Sequence, residues 1–196
     1  FVAGADLKEI GKLGPLGFRK FGKLTLDTVY RIRELPKPVI TAVDGLALGA
    51  GCGLVFASDL VIATDRSSFG LPEIHLGIFG GMGLAPWVLG KMRASELMLL
   101  GERISAEEAC NLGMVNQVVP VEALQDSVNT LATKLKSKSP LGLQLAKESL
   151  AMSFEVGPLY AGKYHFDLCA LMVSIEDWGE GVNAFFEKRR PQFKGH

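Results

Sequence analysis

The stretch GLALGAGCGLVFASD, residues 45 to 59, sets four glycines and three alanines around one cysteine, just ahead of an acidic residue. Glycine weakens the interior of a helix or strand, so a cluster this dense marks main chain that must turn sharply or approach another group closely. Short β-branched runs flank it, VITAV at 39 to 43 and DLVIAT at 59 to 64, and both read as buried strands. The spacing predicts strand, turn, small-residue helix, strand, a unit that makes a right-handed crossover between parallel strands. Three roles fit so bare a backbone. The plainest is a tight turn with close packing. A phosphate cradle fits poorly, because no Lys-Ser or Lys-Thr follows the glycines and the G-x-G-x-x-G spacing with its acidic partner is missing. The third is an oxyanion site, in which N–H groups at a helix N-terminus stabilise charge developing on a carbonyl oxygen. That role needs a second N–H donor and a nearby acid or base.

The rest of the chain alternates in the same way before turning helical. LGFRKFGKLTLDTVYRIREL carries Phe18, Phe21, Leu24, Val29 and Ile32 at helical spacing and stops at Pro36 and Pro38, neither of which can continue a helix. SAEE at 105 to 108 has the spacing of a capping box, with Ser105 accepting from the Glu108 N–H, and opens a helix that Gly113 ends. MVNQVV then reads as another strand. From Val121 onward VEALQDSVNTLATKLK, SPLGLQLAKESLAMSFE, LYAGKYHFDLCALMV and EDWGEGVNAFFEKR all read as helices. The division predicted is a strand-bearing core over 1–120 and a helical region over 121–196.

Composition narrows the function classes. Lys plus Arg and Asp plus Glu are balanced at 21 each, so no overall field recruits nucleic acid or an anionic membrane. No apolar run reaches the ~20 residues that span a bilayer. The cysteines, Cys52, Cys110 and Cys169, are odd in number and sit in apolar context; they read as buried thiols of a reducing compartment, and the expected location is the cytoplasm. The chain opens at Phe1, without methionine and without a lead-in to its first segment, so the strands that belong ahead of it are expected to be missing.

Four motifs in order, FVAGADLKEI, KPVITAVDGLALGAGCGLVFASDLVIAT, FGLPEIHLGI and GERISAEEACNLGMVNQVVP, resemble the enoyl-CoA hydratase/isomerase family, the crotonase superfamily. The resemblance runs over essentially the whole chain. It implies an α/β fold, a spiral core of ββα turns followed by a helical C-terminal region that builds homotrimers, often paired into hexamers. It also implies a coenzyme A thioester as substrate, with no prosthetic group and no metal. The family's oxyanion hole consists of two backbone N–H groups, which fall here on Ala5 of the AGAD turn and Ala50 of the glycine turn. Ala3, Asp6, Leu7, Gly49 and Gly51 surround them in the expected substrate-binding region. Lys8 and Lys188 fall where members of the family place cations near the coenzyme A phosphates. Phe79, Met82 and Trp87, in and after GIFGGMG, fit either the lining of the acyl pocket or the plain core, and Phe79 and Met82 are expected in the pocket.

The acid/base positions depart from the family's hydratases, which carry two glutamates where this chain has Gly53 and Glu73. Hydration benefits from two carboxyl groups holding and activating one water. Moving a double bond from the 3 to the 2 position needs one base, which takes a proton from the α-carbon and returns it at the γ-carbon. Glu73, aimed by the fixed φ of Pro72, is therefore expected to be the single proton shuttle of a 3-enoyl-CoA isomerase. A 2-enoyl-CoA hydratase and a catalytically inactive acyl-CoA-binding or scaffold protein are the alternatives. His75 reads as a packed or solvated side chain, Asp59 and Asp65 as turn or cap residues, and Cys52 as a small buried residue without a histidine partner.

Overall fold

The computed structural model describes residues 1–196, which divide into two compact units. One comprises Phe1–Arg33 with Val39–Val128, the other Glu34–Pro38 with Asn129–His196. In the first, a short helix α1 (Leu7–Ile10) precedes the long α2 (Pro15–Glu34). The latter begins on a proline at its first position, where the missing N–H is no loss, and ends before Pro36. The predicted crossover is present: β1 (Ile40–Val43) pairs in parallel with β3 (Leu60–Thr64), which pairs in parallel with β6 (Gln117–Val119). Between β1 and β3 lie β2 (Leu46–Leu48) and the glycine-rich helix α3 (Ala50–Ala57).

A second sheet, in the order β2, β4 (Ser68–Gly70), β5 (Arg103–Ser105), was not visible in the sequence. Each of its strands has three residues, too few for an alternating pattern to show. β2 and β4 run parallel, β4 and β5 antiparallel. Between β4 and β5 come a 3-10 helix (Pro72–Leu76) and α4 (Ala85–Leu100), the latter broken at Gly90, whose φ of 69° is non-helical. Ser105 caps α5 (Ala106–Asn111) as its spacing predicts, its hydroxyl accepting from the Glu108 N–H at 3.1 Å. Most buried side chains of this unit form one core, with Val43, Phe69 and Leu71 wholly sequestered. Fully burying side chains of this size contributes about 1.5–3 kcal/mol each.

The C-terminal helices are α6 (Leu124–Lys136), α7 (Pro140–Glu155), α8 (Pro158–Val173) and α9 (Glu176–Phe186). α7 packs on α8, and α8 on α9. Ser139 caps α7 through the Gly142 N–H at 3.2 Å. The buried Asp177 of α9 accepts from the backbone of Lys194 and Gly195 at 2.7 and 3.1 Å, which ties the tail to the helix. The cysteine expectation needs correction: Cys52 is buried, but Cys110 is half-buried and Cys169 exposed, because α8 turns the latter's face outward. No helix is long and apolar enough to cross a membrane.

Candidate active site

The glycine cluster brings three separate neighbours into contact with bare main chain. Ahead of α1, Val2 forms a parallel bridge to Ala47, its N–H donating to the Leu46 carbonyl at 2.8 Å and its carbonyl accepting from Leu48 at 2.9 Å. This lays the AGAD turn against the end of β2. Gly51, inside α3, faces the Val2 carbonyl so closely that a β-carbon would overlap it. Gly49 turns the chain from β2 into α3 with φ 54° and ψ −113°, a conformation that L side chains rarely adopt. Its N–H donates to the Gly70 carbonyl at 2.9 Å, which holds the turn against β4. Gly53 is covered by the thioether of Met82.

The two backbone donors expected of an oxyanion site have no partner within the chain. Ala50 is the first residue of α3, where an N–H has no intrahelical acceptor, and neither its amide nor that of Ala5 donates a hydrogen bond within the chain. Both residues line one cavity of about 620 Å³, a size ordinary for a small-molecule site. The partial positive charge at the start of α3 adds to the Ala50 donor.

Glu73 enters the same cavity from the second sheet. β4 leads through the fully buried Leu71 into the 3-10 helix, whose Pro72 sets the backbone just before Glu73. Its carboxyl group lies in a notch made by missing side chains. A β-carbon on Gly49 would stand 2.8 Å from Oε1, and one on Gly80 would overlap the carboxyl itself. Oε2 is buried and has no hydrogen-bond partner in the chain. An orphaned polar atom costs about 1–3 kcal/mol, and in a folded protein such an atom calls for an explanation in strain or chemistry.

The remaining wall is apolar. α1 contributes Leu7 and Ile10, α2 contributes Phe18, Phe21 and Leu26, and Phe79, Met82 and Met98 complete it. The hydroxyl of Thr25, also on the wall, already donates to the Phe21 carbonyl at 3.0 Å. Glu73 is the one ionisable side chain that lines the cavity.

Ala3, Ala5, Leu7, Gly49, Ala50, Glu73, Phe79 and Met82, all singled out in the sequence, meet here. Asp6 stands outside the wall as the cap of α1, accepting from Lys8 N–H at 2.8 Å and Glu9 N–H at 3.3 Å. Lys8 is exposed on α1, away from the lining face. Trp87, which fitted either the pocket or the core, lies in neither, because α4 begins beyond the GGMG loop and carries it to an exposed face. Lys188 belongs to the other unit, just past α9, with φ 54°. His75 is exposed and off the wall, as its plain reading required. Asp59 accepts from the Val39 N–H at 2.7 Å and so ties the start of β1 to the start of β3.

The contribution of α2 was missed. Its Phe18, Phe21 and Leu26 follow the same helical period as core positions, and nothing in a periodic pattern separates an apolar face that meets a cavity from one that meets the core. Gly80 was missed too, since its role depends on the carboxylate it faces. Cys52, by contrast, behaves as read. Its thiol donates to the carbonyls of Ala47 and Gly70 at 3.0 and 3.3 Å. Burial pushes its pKa from 9.0 up to about 12, against the opposing pull of the Gly70 hydrogen bond, so no thiolate nucleophile is available.

Comparison with known proteins identifies the family and the fold. The sequence model for enoyl-CoA hydratase/isomerase matches residues 1–196. A 2,3-dehydroadipyl-CoA hydratase of Escherichia coli is 41% identical, the match covering 100% of this chain and 77% of the relative. A crotonyl-CoA hydratase of Syntrophomonas wolfei is 37% identical, covering 98% and 75%. Among solved structures, an enoyl-CoA hydratase from Bacillus anthracis superposes with a TM-score of 0.94 at 37% identity, covering 99% of this chain and 76% of that one. The spiral α/β architecture, the helical C-terminal region and the whole length of the sequence agree on one assignment. This chain belongs to the enoyl-CoA hydratase/isomerase family.

Proposed function

We propose that this protein moves the double bond of a 3-enoyl-CoA to the 2 position. The observation that carries this reading is the single ionisable side chain, Glu73, in a cavity whose wall includes Ala5 and Ala50, residues whose amides donate no hydrogen bond within the chain. Glu73 takes a proton from the α-carbon, and the two electrons of that bond move toward the thioester carbonyl. The resulting dienolate oxygen accepts from the Ala5 and Ala50 N–H groups, each such donor stabilising the transition state by about 3 kcal/mol. Glu73 then delivers the same proton to the γ-carbon, leaving a 2-enoyl thioester and a regenerated carboxylate. The oxygen without a partner suits a group that must exchange a proton rather than hold a fixed bond.

No lysine, arginine or histidine lines the cavity, which supports an uncharged, hydrocarbon acyl group. Lys8, exposed beside Leu7 on α1, is proposed to attract the coenzyme A phosphates, and Lys188 to do the same from its own unit. Exposed aromatic residues on the C-terminal helices, among them Phe166, Phe185 and Phe186, support assembly into homotrimers or hexamers, since faces of this kind are normally covered by a partner.

A second reading, hydration of a 2-enoyl-CoA, is favoured by relatives named as hydratases, among them three bacterial ones at 35–41% identity. In it Glu73 activates a water that adds to the β-carbon while a proton reaches the α-carbon. The two readings separate when a 3-enoyl-CoA and a 2-enoyl-CoA are offered side by side to the purified protein. Faster conversion of the 3-enoyl isomer, with little 3-hydroxyacyl product from the other, is the expected result. Rapid hydration with no isomerisation would overturn the first reading in favour of the second.

A further inference from the structure

The thioether of Met82 occupies the space that a side chain at residue 53 would fill. A β-carbon built on Gly53 would lie 2.5 Å from Met82 Cε and 2.7 Å from its Sδ. Gly53 is buried on α3, and Met82 is half-buried and lines the cavity. Met82 also holds φ at 48°, an unusual conformation for a residue with a side chain. The same loop presses Gly80 against the Glu73 carboxyl group. One four-residue turn, GGMG, thus sets backbone on one side of the carboxylate and a methionine over Gly53.

We propose that Met82 is the specificity-determining residue of this site, an apolar plug that keeps a reactive water from being held opposite Glu73. The proposal rests on the functional reading above. A water poised to add to a β-carbon needs two to four polar partners. A carboxylate is one such partner, and a thioether sulfur is only a weak acceptor. With Met82 in place, the face over Gly53 offers a methyl group and a sulfur where a second polar group would stand. Proton relocation between carbons is unaffected by this, since it needs the carboxylate and the oxyanion donors alone. Removing Cγ, Sδ and Cε would open room for about two waters, at about 30 Å³ each in the liquid.

The test uses Met82→Ala and Met82→Leu, assayed with both enoyl-CoA isomers, together with a stability cycle on Gly53→Ala. Met82→Ala is expected to raise the ratio of hydration to isomerisation at least tenfold, whereas the volume-conserving Met82→Leu leaves it near the wild-type value. Gly53→Ala alone is expected to lower Tm by roughly 5 °C through overpacking. In the Met82→Ala background the same substitution should lower it hardly at all. An unchanged ratio in folded Met82→Ala, or Tm losses that simply add, overturns the proposal. If the wild-type protein turns over neither isomer, the functional reading fails, and the stability cycle still decides whether Met82 fills the face over Gly53. Gly53→Glu alone drives its β-carbon into Met82, so a gain of hydration is expected from Gly53→Glu with Met82→Ala and not from Gly53→Glu by itself.

Discussion

Replacing Glu73 by glutamine separates proton transfer from everything else the site does. The side chain keeps its shape, which matters because the notch between Gly49 and Gly80 leaves no room for a differently shaped group. Binding should hardly change, since the Ala5 and Ala50 amides and the apolar wall are untouched. Stability should move little as well. In the wild type, Oε2 is buried without a partner, and an amide in the same notch leaves a comparable group unpaired, with a penalty again of about 1–3 kcal/mol. Turnover, however, loses its only ionisable group. General acid/base catalysis contributes a factor of about 10² to 10⁴, equivalent to about 2.7–5.5 kcal/mol at about 1.36 kcal/mol per decade. The assay is conversion of a 3-enoyl-CoA followed at saturating substrate, with binding of a saturated acyl-CoA measured in parallel. Near wild-type turnover in a folded Glu73→Gln protein would refute the assignment of Glu73. A loss of turnover accompanied by equal loss of acyl-CoA binding would refute the claim that its role is chemical.

Other substitutions and conditions probe the supports of the site. Gly80→Ala should reduce turnover nearly as far as Glu73→Gln, because its new β-carbon overlaps the Glu73 carboxyl group and displaces it; activity and circular dichroism measured together distinguish this from unfolding. Acid should destabilise the fold in a defined window. Arg66 holds the Asp44 carboxyl below its ordinary 3.8, at about 2, and Arg189 holds Glu180 below its ordinary 4.5, at about 2. A carboxyl with a depressed folded-state pKa stabilises the fold above its unfolded value and loses that contribution as pH falls through the folded one. Tm should therefore decline between about pH 4.5 and 2 by an amount that shrinks in Asp44→Asn and Glu180→Gln, with both groups exposed enough that salt also reduces it. Light scattering at micromolar concentration should give the mass of three or six chains, and a monomer would remove the proposed assembly.

Much of the architecture was legible because the chain punctuates itself. Pro36 closes α2, the Ser105 to Glu108 spacing opens α5, and Gly113, with φ 77°, follows its end. Each is a local rule that tertiary packing had no reason to override. β2, β4 and β5 escaped because three residues carry too little pattern to reveal a strand, and because their stability comes from one another rather than from propensity. Trp87 fits pocket and core equally well by sequence and occupies neither, because an apolar side chain in the first turn of α4 gives no sign of which way that turn faces. Cys169 was misread because an apolar neighbourhood in sequence describes a helix surface as readily as a core.

The site itself was legible where chemistry needs backbone and opaque where it needs an empty space. A glycine announces that a side chain is unwelcome, without saying what stands in its place. In this chain the occupants differ at every position: the Glu73 carboxylate beside Gly49 and Gly80, the Val2 carbonyl beside Gly51, and the Met82 thioether beside Gly53. Only the first of these is a group proposed to react. The second fixes the AGAD turn, and with it Ala5, next to Ala50. The third sets what surrounds the carboxylate. Read singly, Gly53 is a lost glutamate and Met82 a wall residue. Their contact makes them one feature, since a carboxylate at residue 53 requires Met82 to give way. On the proposal, emptying the Met82 position alone lets water reach the carboxylate, whereas a second carboxyl group at residue 53 also needs that emptied space; the full gain of hydration therefore takes two substitutions on separate elements, one on α3 and one in the GGMG loop, and Gly53→Glu by itself yields only a crowded site.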